Sequence, residues 1–276
     1  MLNKEVITSR NNPIVKWAAS LLDKKGRQAS SSFIAEGVKL TLEAVRASLP
    51  VSHIFISEDR KCEVLPGILS CIDETGSRDI EIFLLSQNAF DKISTEKAPQ
   101  GVISVIKYLD FFFNIDIIYK EEFFLPPSDR AIALCSVRDP ANLGSVIRSS
   151  VAFGVDHIIL SEDCADLYNP KTVRSAMGSL FKVKTSRVKS FSDFISTARM
   201  CNRRVLCAEL SDGAVSLNDA NLVSSDIVII GNEGHGIPAE ISELSDGAVY
   251  IPISNKTESL NAAVAAGIFM WEQSKK

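Results

Sequence analysis

The chain has 276 residues, 46% of them hydrophobic, enough for about two domains with a sizeable core. No apolar run approaches the roughly 18 residues of a membrane helix, and MLNKEVITSR has no apolar signal core and carries an acid among its bases, so a cytoplasmic protein is expected. The net charge of −4 argues against a nucleic-acid partner only until its distribution is read, because the bases lie in two islands on an acidic body.

The first island opens the chain. Residues 1–30 hold six Lys/Arg against Glu5 and Asp23, and read as a basic arm with a turn signal at NNP (11–13). FIAE (33–36), HIFIS (53–57), IEIFLLS (80–86) and VISVIKY (102–108) then read as strands. Helical periodicity at Val38, Leu42 and Val45, and again over 86–94, separates them. The expectation is a smaller α/β domain over 31–125. FFFNIDIIYKEEFFLPPSDR (111–130) reads either as a strand or as a packed linker, and Pro126-Pro127 ends any regular structure there.

From 126 to 276 the alternation is more regular. AIALCSV (131–137), VDHIIL (155–160), RVLCAEL (204–210), DIVIIG (226–231) and AVYIPI (248–253) are near-continuous apolar runs, most of them separated by helical stretches. That pattern predicts a mainly parallel sheet covered on both faces, with ligands beyond the carboxyl ends of its strands. The second basic island, residues 171–204, carries nine Lys/Arg against Asp193 alone.

Three strand-to-loop junctions are polar and glycine-rich where that rule points. In SVRDPANLGSVIRSSVAFG (136–154), Asn142 can cap a helix whose Leu143, Val146, Ile147 and Val151 face a core. Arg148 lies on the same helix beside Gly144 and Ala152, either snorkelling at the edge of the stripe or aimed at a substrate. In IVIIGNEGHGI (227–237), Gly231, Asn232, Glu233 and Gly234 end a buried strand without forming a G-x-G-x-x-G dinucleotide fingerprint. In YIPISNKTESLNAAVAAGIFMW (250–271), Thr257 or Ser259 can cap a helix with a core stripe at Leu260, Val264, Ile268 and Trp271, leaving Asn261 as a surplus polar group.

In this order, the three segments resemble the motifs of the SpoU (TrmH-like) branch of the SPOUT RNA methyltransferases. YNPKTVRSAMGSLFKV (168–183) resembles a further stretch of that family, with Ser175-Ala176 reversing its usual Ala-Ser. Residues 7–45 are similar to the substrate-binding domain that precedes the catalytic domain in many members. The resemblance implies a parallel α/β sheet ending in a trefoil knot, S-adenosylmethionine as cofactor, a ribose 2′-hydroxyl of RNA as acceptor, and a homodimer packed through the knot. Ribosomal RNA is the expected substrate. Transfer RNA, or a non-catalytic RNA-binding role, is the alternative.

By position, the resemblance assigns the cofactor to Gly231, Ile251 and Leu260, with Ala208, Leu210, Ile253, Asn232 and Gly234 nearby. It assigns catalysis to Arg148, with Asn142, Glu233, Ser259 and Asn261 organising the hydroxyl and the RNA. Arg10, Lys16, Lys24, Lys25, Arg27, Lys171 and Arg174 are the expected RNA contacts. Neutralising a guanidinium near pH 7 costs roughly 7 kcal/mol, so Arg148 is expected to act as a charged clamp on phosphate and ribose, not as a base. The proton then leaves to that phosphate, to Glu233 or to water.

Six cysteines without a C-x-x-C pair read as reduced, mostly buried thiols. His53, His157 and His235 form no metal-ligand spacing, so no metal site is expected.

Overall fold

The computed structural model describes residues 2–77, 79–109, 112–115, 126, 128–232 and 234–275, with the backbone alone for Lys4 and residues 112–115. The chain divides into two compact units, Met1–Leu109 with Asp166–Phe181, and Asp110–Ala165 with Lys182–Lys276. Residues 166–181, carried by the sequence reading in the carboxyl-terminal domain, thus belong with the amino-terminal unit.

The first unit is built from β1 (Leu2–Ile7), α1 (Pro13–Ser20), α2 (Lys24–Ser30), β2 (Ser32–Glu36), α3 (Val38–Arg46), β3 (Val51–Ser57), α4 (Lys61–Thr75), β4 (Glu81–Leu85), α5 (Gln87–Phe90) and β5 (Val102–Lys107). The four expected strands are present, and β1 adds a fifth, giving the order β1-β4-β3-β5-β2. The stretch read as a basic arm folds into this unit, because Val15, Ala18 and Leu21 pack beneath α1 onto Ile34, Phe55, Leu85 and Phe90.

The second unit holds β6 (Phe112–Ile115), β7 (Ala131–Leu134), α6 (Pro140–Ala152) and β8 (His157–Ser161). After α7 (Pro170–Ala176), which packs with the first unit, it continues through β9 (Lys184–Val188), α8 (Phe191–Met200), β10 (Val205–Ala208) and β11 (Val215–Ser216). It ends with β12 (Ile227–Ile230), α9 (Ala239–Leu244), β13 (Ala248–Tyr250) and α10 (Ala262–Ser274). Its strands run in the order β11-β13-β10-β12-β7-β8-β9-β6, and every pairing is parallel. The apolar runs of β7, β8, β10 and β12 are buried on both faces, as a helix-covered parallel sheet requires. The aromatic stretch contributes β6 beside β9, and residues 116–125 lie outside the described residues.

Three helices start in one way. Asn12-Pro13, Asp139-Pro140 and Asn169-Pro170 each place an acceptor side chain at the cap and a proline, which needs no N–H there, in the first turn. Asp139 Oδ1 accepts from the amides of Ala141 and Asn142 at 2.7 and 2.9 Å. The cap of α6 is therefore Asp139 and not Asn142, which lies in the first turn of the helix.

Candidate active site

The carboxyl ends of β10, β12 and β13 surround a pocket of about 770 Å³. All eight residues expected to hold the cofactor line it: Ala208, Leu210, Gly231, Asn232, Gly234, Ile251, Ile253 and Leu260. Ser259 lines it as well. Glu209, Tyr250, Asn255 and Phe269 are among the wall residues that had not been singled out. Glu209 and Tyr250 sit at strand ends, where the general rule for parallel sheets points, but neither belongs to a glycine-rich loop.

The loop after β12 is set by backbone geometry. Asn232 and Gly236 exchange backbone hydrogen bonds at 3.0 and 2.9 Å, and Gly236 adopts φ +67°. A Cβ on Gly231 would stand 2.5 Å from the Gly236 carbonyl carbon, so only glycine allows this closure. Asn232 then ties the loop down. Its Nδ2 donates to the Ser136 carbonyl at 2.8 Å, and its Oδ1 accepts from Gly234 N at 2.9 Å. Glu233 lies outside the described residues.

Among the described residues, no hydrogen bond occupies the backbone amides or carbonyls of Gly231, Ile251 or Leu260. Half-buried backbone groups left open around an apolar pocket suit a flat, heteroatom-rich ligand such as an adenosine. The half-buried carboxylate of Glu209, which accepts from Ser242 Oγ, adds an anionic group to the wall. These residues fit S-adenosylmethionine, a cationic adenosine derivative.

Beside the pocket, α10 begins at Asn261. Its Oδ1 accepts from the amides of Ala263 and Val264 at 2.9 and 3.3 Å, and its Nδ2 donates to Asn142 Oδ1 at 2.9 Å. The cap is thus Asn261, not Thr257 or Ser259, and the polar group read as surplus joins the first and third motifs. The expected core stripe of α10 is also corrected. Ala262, Ala266, Phe269, Met270 and Gln273 are buried, whereas Val264 and Trp271 are 50% and 51% exposed. The helix is apolar nearly all round, so periodicity does not decide its inner face. Its packing against α6 and the sheet decides it instead. Val264, Ile268 and Trp271 instead line an open groove with Asn142, Ser145, Ser149 and Phe153 of α6 and its end.

Arg148 is exposed on α6, and no hydrogen bond or ion pair engages its side chain among the described residues. It does not line the cofactor pocket of its own chain. Nearby in sequence, Asp163 accepts from Ser136, Ser161 and Arg138. Burial pushes its carboxyl up, but these hydrogen bonds outweigh it and hold the pKa down to about 2.

The expected RNA contacts divide. Arg10, Lys16, Lys24, Lys25 and Lys171 are exposed. Arg27 is not an RNA contact: it is 2% exposed, bonded through Nε and Nη2 to Asp166 and through Nη1 to the carbonyls of Leu21 and Leu22. Arg174 pairs with Glu96. Among the described residues no cluster of His, Cys, Asp and Glu could hold a metal ion.

The profile of the SpoU rRNA Methylase family matches residues 129–271. The chain belongs to the SpoU rRNA methylase family. An MRM3-like substrate binding domain matches residues 12–104 of this SpoU protein. It is 30% identical to the 23S rRNA (guanosine(2553)-2′-O)-methyltransferase RlmP of Bacillus subtilis, over 97% of this chain and 98% of that one. It is 28% identical to the 23S rRNA (uridine(2479)-2′-O)-methyltransferase of Streptomyces viridochromogenes, over 96% of this chain and 90% of that one. The AdoMet-bound rRNA methyltransferase of Sinorhizobium meliloti superposes with a TM-score of 0.80 at 28% identity, covering 98% of this chain and 97% of the other. Membership bears out the resemblance drawn from the motifs. With it come the knotted SPOUT α/β fold, the RNA 2′-O-methyltransferase class and S-adenosylmethionine as cofactor.

Proposed function

We propose that this protein methylates a ribose 2′-hydroxyl of large-subunit ribosomal RNA, with the cofactor in the pocket at the ends of β10, β12 and β13 and the acceptor beside the Asn142–Asn261 pair. The observation that carries this reading is the convergence of the three motifs. Gly231, Ile251 and Leu260 offer open backbone groups to one pocket, and the Asn261 side chain that starts α10 also bonds Asn142 at 2.9 Å. The 23S targets named for the Bacillus and Streptomyces relatives support ribosomal over transfer RNA.

When bound, S-adenosylmethionine supplies a methyl group already activated by its sulfonium. The chain's own work is therefore alignment and disposal of one proton. Backbone groups of Gly231, Ile251 and Leu260 hold the adenosine, and the apolar wall excludes water. Asn142, Asn261 and Ser259 orient the ribose. Arg148, exposed and cationic, clamps an RNA phosphate next to the target ribose and stabilises the developing alkoxide, while the proton leaves to that phosphate, to Glu233 or to water.

The protein acts as a homodimer. The exposed apolar groove of Val264, Ile268, Trp271 and Phe153 is covered by a second copy, so that residues of both protomers complete a site. Lys24, Lys25 and Lys171 add phosphate contacts. No helix among the described residues is long and apolar enough to cross a membrane, and the enzyme works in the cytoplasm, where its substrate is.

The test is to incubate the protein with methyl-labelled S-adenosylmethionine and total RNA and to map linkages that resist alkali. A 2′-methyl removes the nucleophile for backbone cleavage, so the expected product is one resistant linkage in large-subunit RNA. Label confined to bases overturns the ribose assignment, and label confined to transfer RNA overturns the substrate.

A further inference from the structure

The amino-terminal unit carries a groove of its own, about 740 Å³, beside β1. β1 is the edge strand of the five-stranded sheet, paired only with β4. Trp17 and Phe83 bring aromatic rings to the groove, and Asn3, Thr8, Ser9 and Asn12 bring polar side chains. Trp17 is held in place before any ligand arrives. Its Nε1 donates to Ser30 Oγ at 3.2 Å, and its ring leans on the His53 imidazole with centroids 4.7 Å apart. His53 in turn stacks on Phe83 at 6.0 Å.

Cations accompany the aromatics. Arg10 lies in the chain between lining residues Ser9 and Asn12, and Lys16 immediately precedes Trp17. Both are exposed, and neither side chain has a hydrogen-bond or ion-pair partner among the described residues. Glu5 is the one acid among the lining residues.

We propose that this groove takes an unpaired nucleotide of the RNA substrate, with its base against Trp17 and its phosphates toward Arg10 and Lys16. The proposal rests on the reading of the protein as an RNA methyltransferase and adds where, and in what form, the RNA is held. A fixed aromatic, amide and hydroxyl side chains, and unpaired cations are the combination that recognises a splayed-out base. A paired base offers no ring face to Trp17, so the site selects single-stranded loops or bulges over duplex. The competing occupant of a sheet edge is an extended peptide, whose main-chain hydrogen bonds do not call on Arg10 and Lys16.

The experiment uses the full chain and a short single-stranded RNA carrying 5-bromouridine, a probe that photo-crosslinks to stacked aromatics. The expected result is a crosslink at Trp17 that excess unlabelled single strand removes and the matching duplex does not. The double variant R10E/K16E should bind the single strand about tenfold or more weakly, with a salt slope smaller by about 1.4, the value for two lost contacts to a single strand. The control K97E/K107E carries the same charge change at two exposed lysines of the same unit that do not line the groove, and should lose less. Absence of a crosslink at Trp17, equal losses in the two double variants, or protection by an unrelated extended peptide and not by RNA overturns the proposal. Thermal protection by S-adenosylmethionine should be the same in all three proteins. If methyl transfer fails while Trp17 still crosslinks, the catalytic reading falls and the groove stands. If transfer proceeds and Trp17 does not crosslink, the groove falls alone.

Discussion

Arg27 of α2 and Arg148 of α6 have similar local sequences and opposite surroundings. Each sits on a helix beside small residues, Gly26 and Ala29 in one case and Gly144 and Ala152 in the other. Around Arg27 the space is filled by its own unit. A Cβ on Gly26 would strike the Ser20 carbonyl oxygen, and every guanidinium nitrogen is bonded to Asp166, Leu21 or Leu22. Around the Arg148 side chain the described residues supply no hydrogen-bond or ion-pair partner. Small neighbours permit close approach, but the tertiary partner decides what approaches. A guanidinium that its own fold leaves open is the one available to a substrate.

The contrast is broken most easily at Arg27. Arg27→Met leaves Asp166 without its buried partner, and the expected cost is about 3–5 kcal/mol in denaturant unfolding. A loss under about 1 kcal/mol would mean that the pair is ornamental and that the two arginines are alike. Arg148→Ala should behave oppositely. Its stability should stay within about 0.5 kcal/mol of the parent, as for an exposed substitution. Single-turnover methyl transfer should fall about 10²–10³-fold, the scale for losing one charge-stabilising donor, while S-adenosylmethionine affinity is unchanged. Arg148→Lys keeps the charge without the planar fork, and nearly full rate in that variant would show that the fork is unnecessary.

This pair also shows what the sequence could reveal. The residues that line the pocket were legible because each motif is a local device. Asn232 closes its turn on Gly236, and Gly231 tolerates that closure, all within six residues. The parallel sheet was legible because its central strands are apolar on both faces. Arg27 was misread because its partner Asp166 lies 139 residues away. The docking of 166–181 onto the first unit depends on equally distant contacts. Tyr168 stacks on Phe33 and Tyr108 at 4.5 and 4.3 Å, and its hydroxyl accepts from Leu109 N at 3.0 Å. The inner face of α10 was misassigned for a different reason: an almost uniformly apolar helix carries no periodic signal.

A third test concerns a side chain that is buried like Arg27 but titrates. His157 on β8 exchanges a 2.7 Å hydrogen bond with Ser186, and burial, helped by Lys184 and Arg203, lowers its pKa to about 4. The unfolded chain therefore binds this proton first as pH falls. The stability due to neutral His157 is fully present above about pH 6.5 and is lost progressively down to about pH 4, a change on the order of 3 kcal/mol. Unfolding curves of the parent and of His157→Gln, compared across that range, should converge toward acid by about this amount. Parallel curves would show that the imidazole is not held neutral by burial.

The smallest expected effect is the most discriminating, because Asn261 combines in one side chain the two roles that Arg27 and Arg148 keep apart. Its Oδ1 caps α10 and its Nδ2 donates to Asn142. Asn261→Ala removes both and should cost about 1 kcal/mol of stability, the usual value of a cap, together with activity. Asn261→Asp retains the capping oxygen and places a negative charge at a helix amino terminus, where it is favourable, so stability should be unchanged or slightly higher. It cannot donate to Asn142. If the link between the first and third motifs orients the ribose, the aspartate variant should be as stable as the parent yet transfer methyl as slowly as the alanine variant. If the aspartate variant regains both stability and rate, Asn261 matters only as a cap, and the acceptor must be positioned by Arg148 and Ser259 without it.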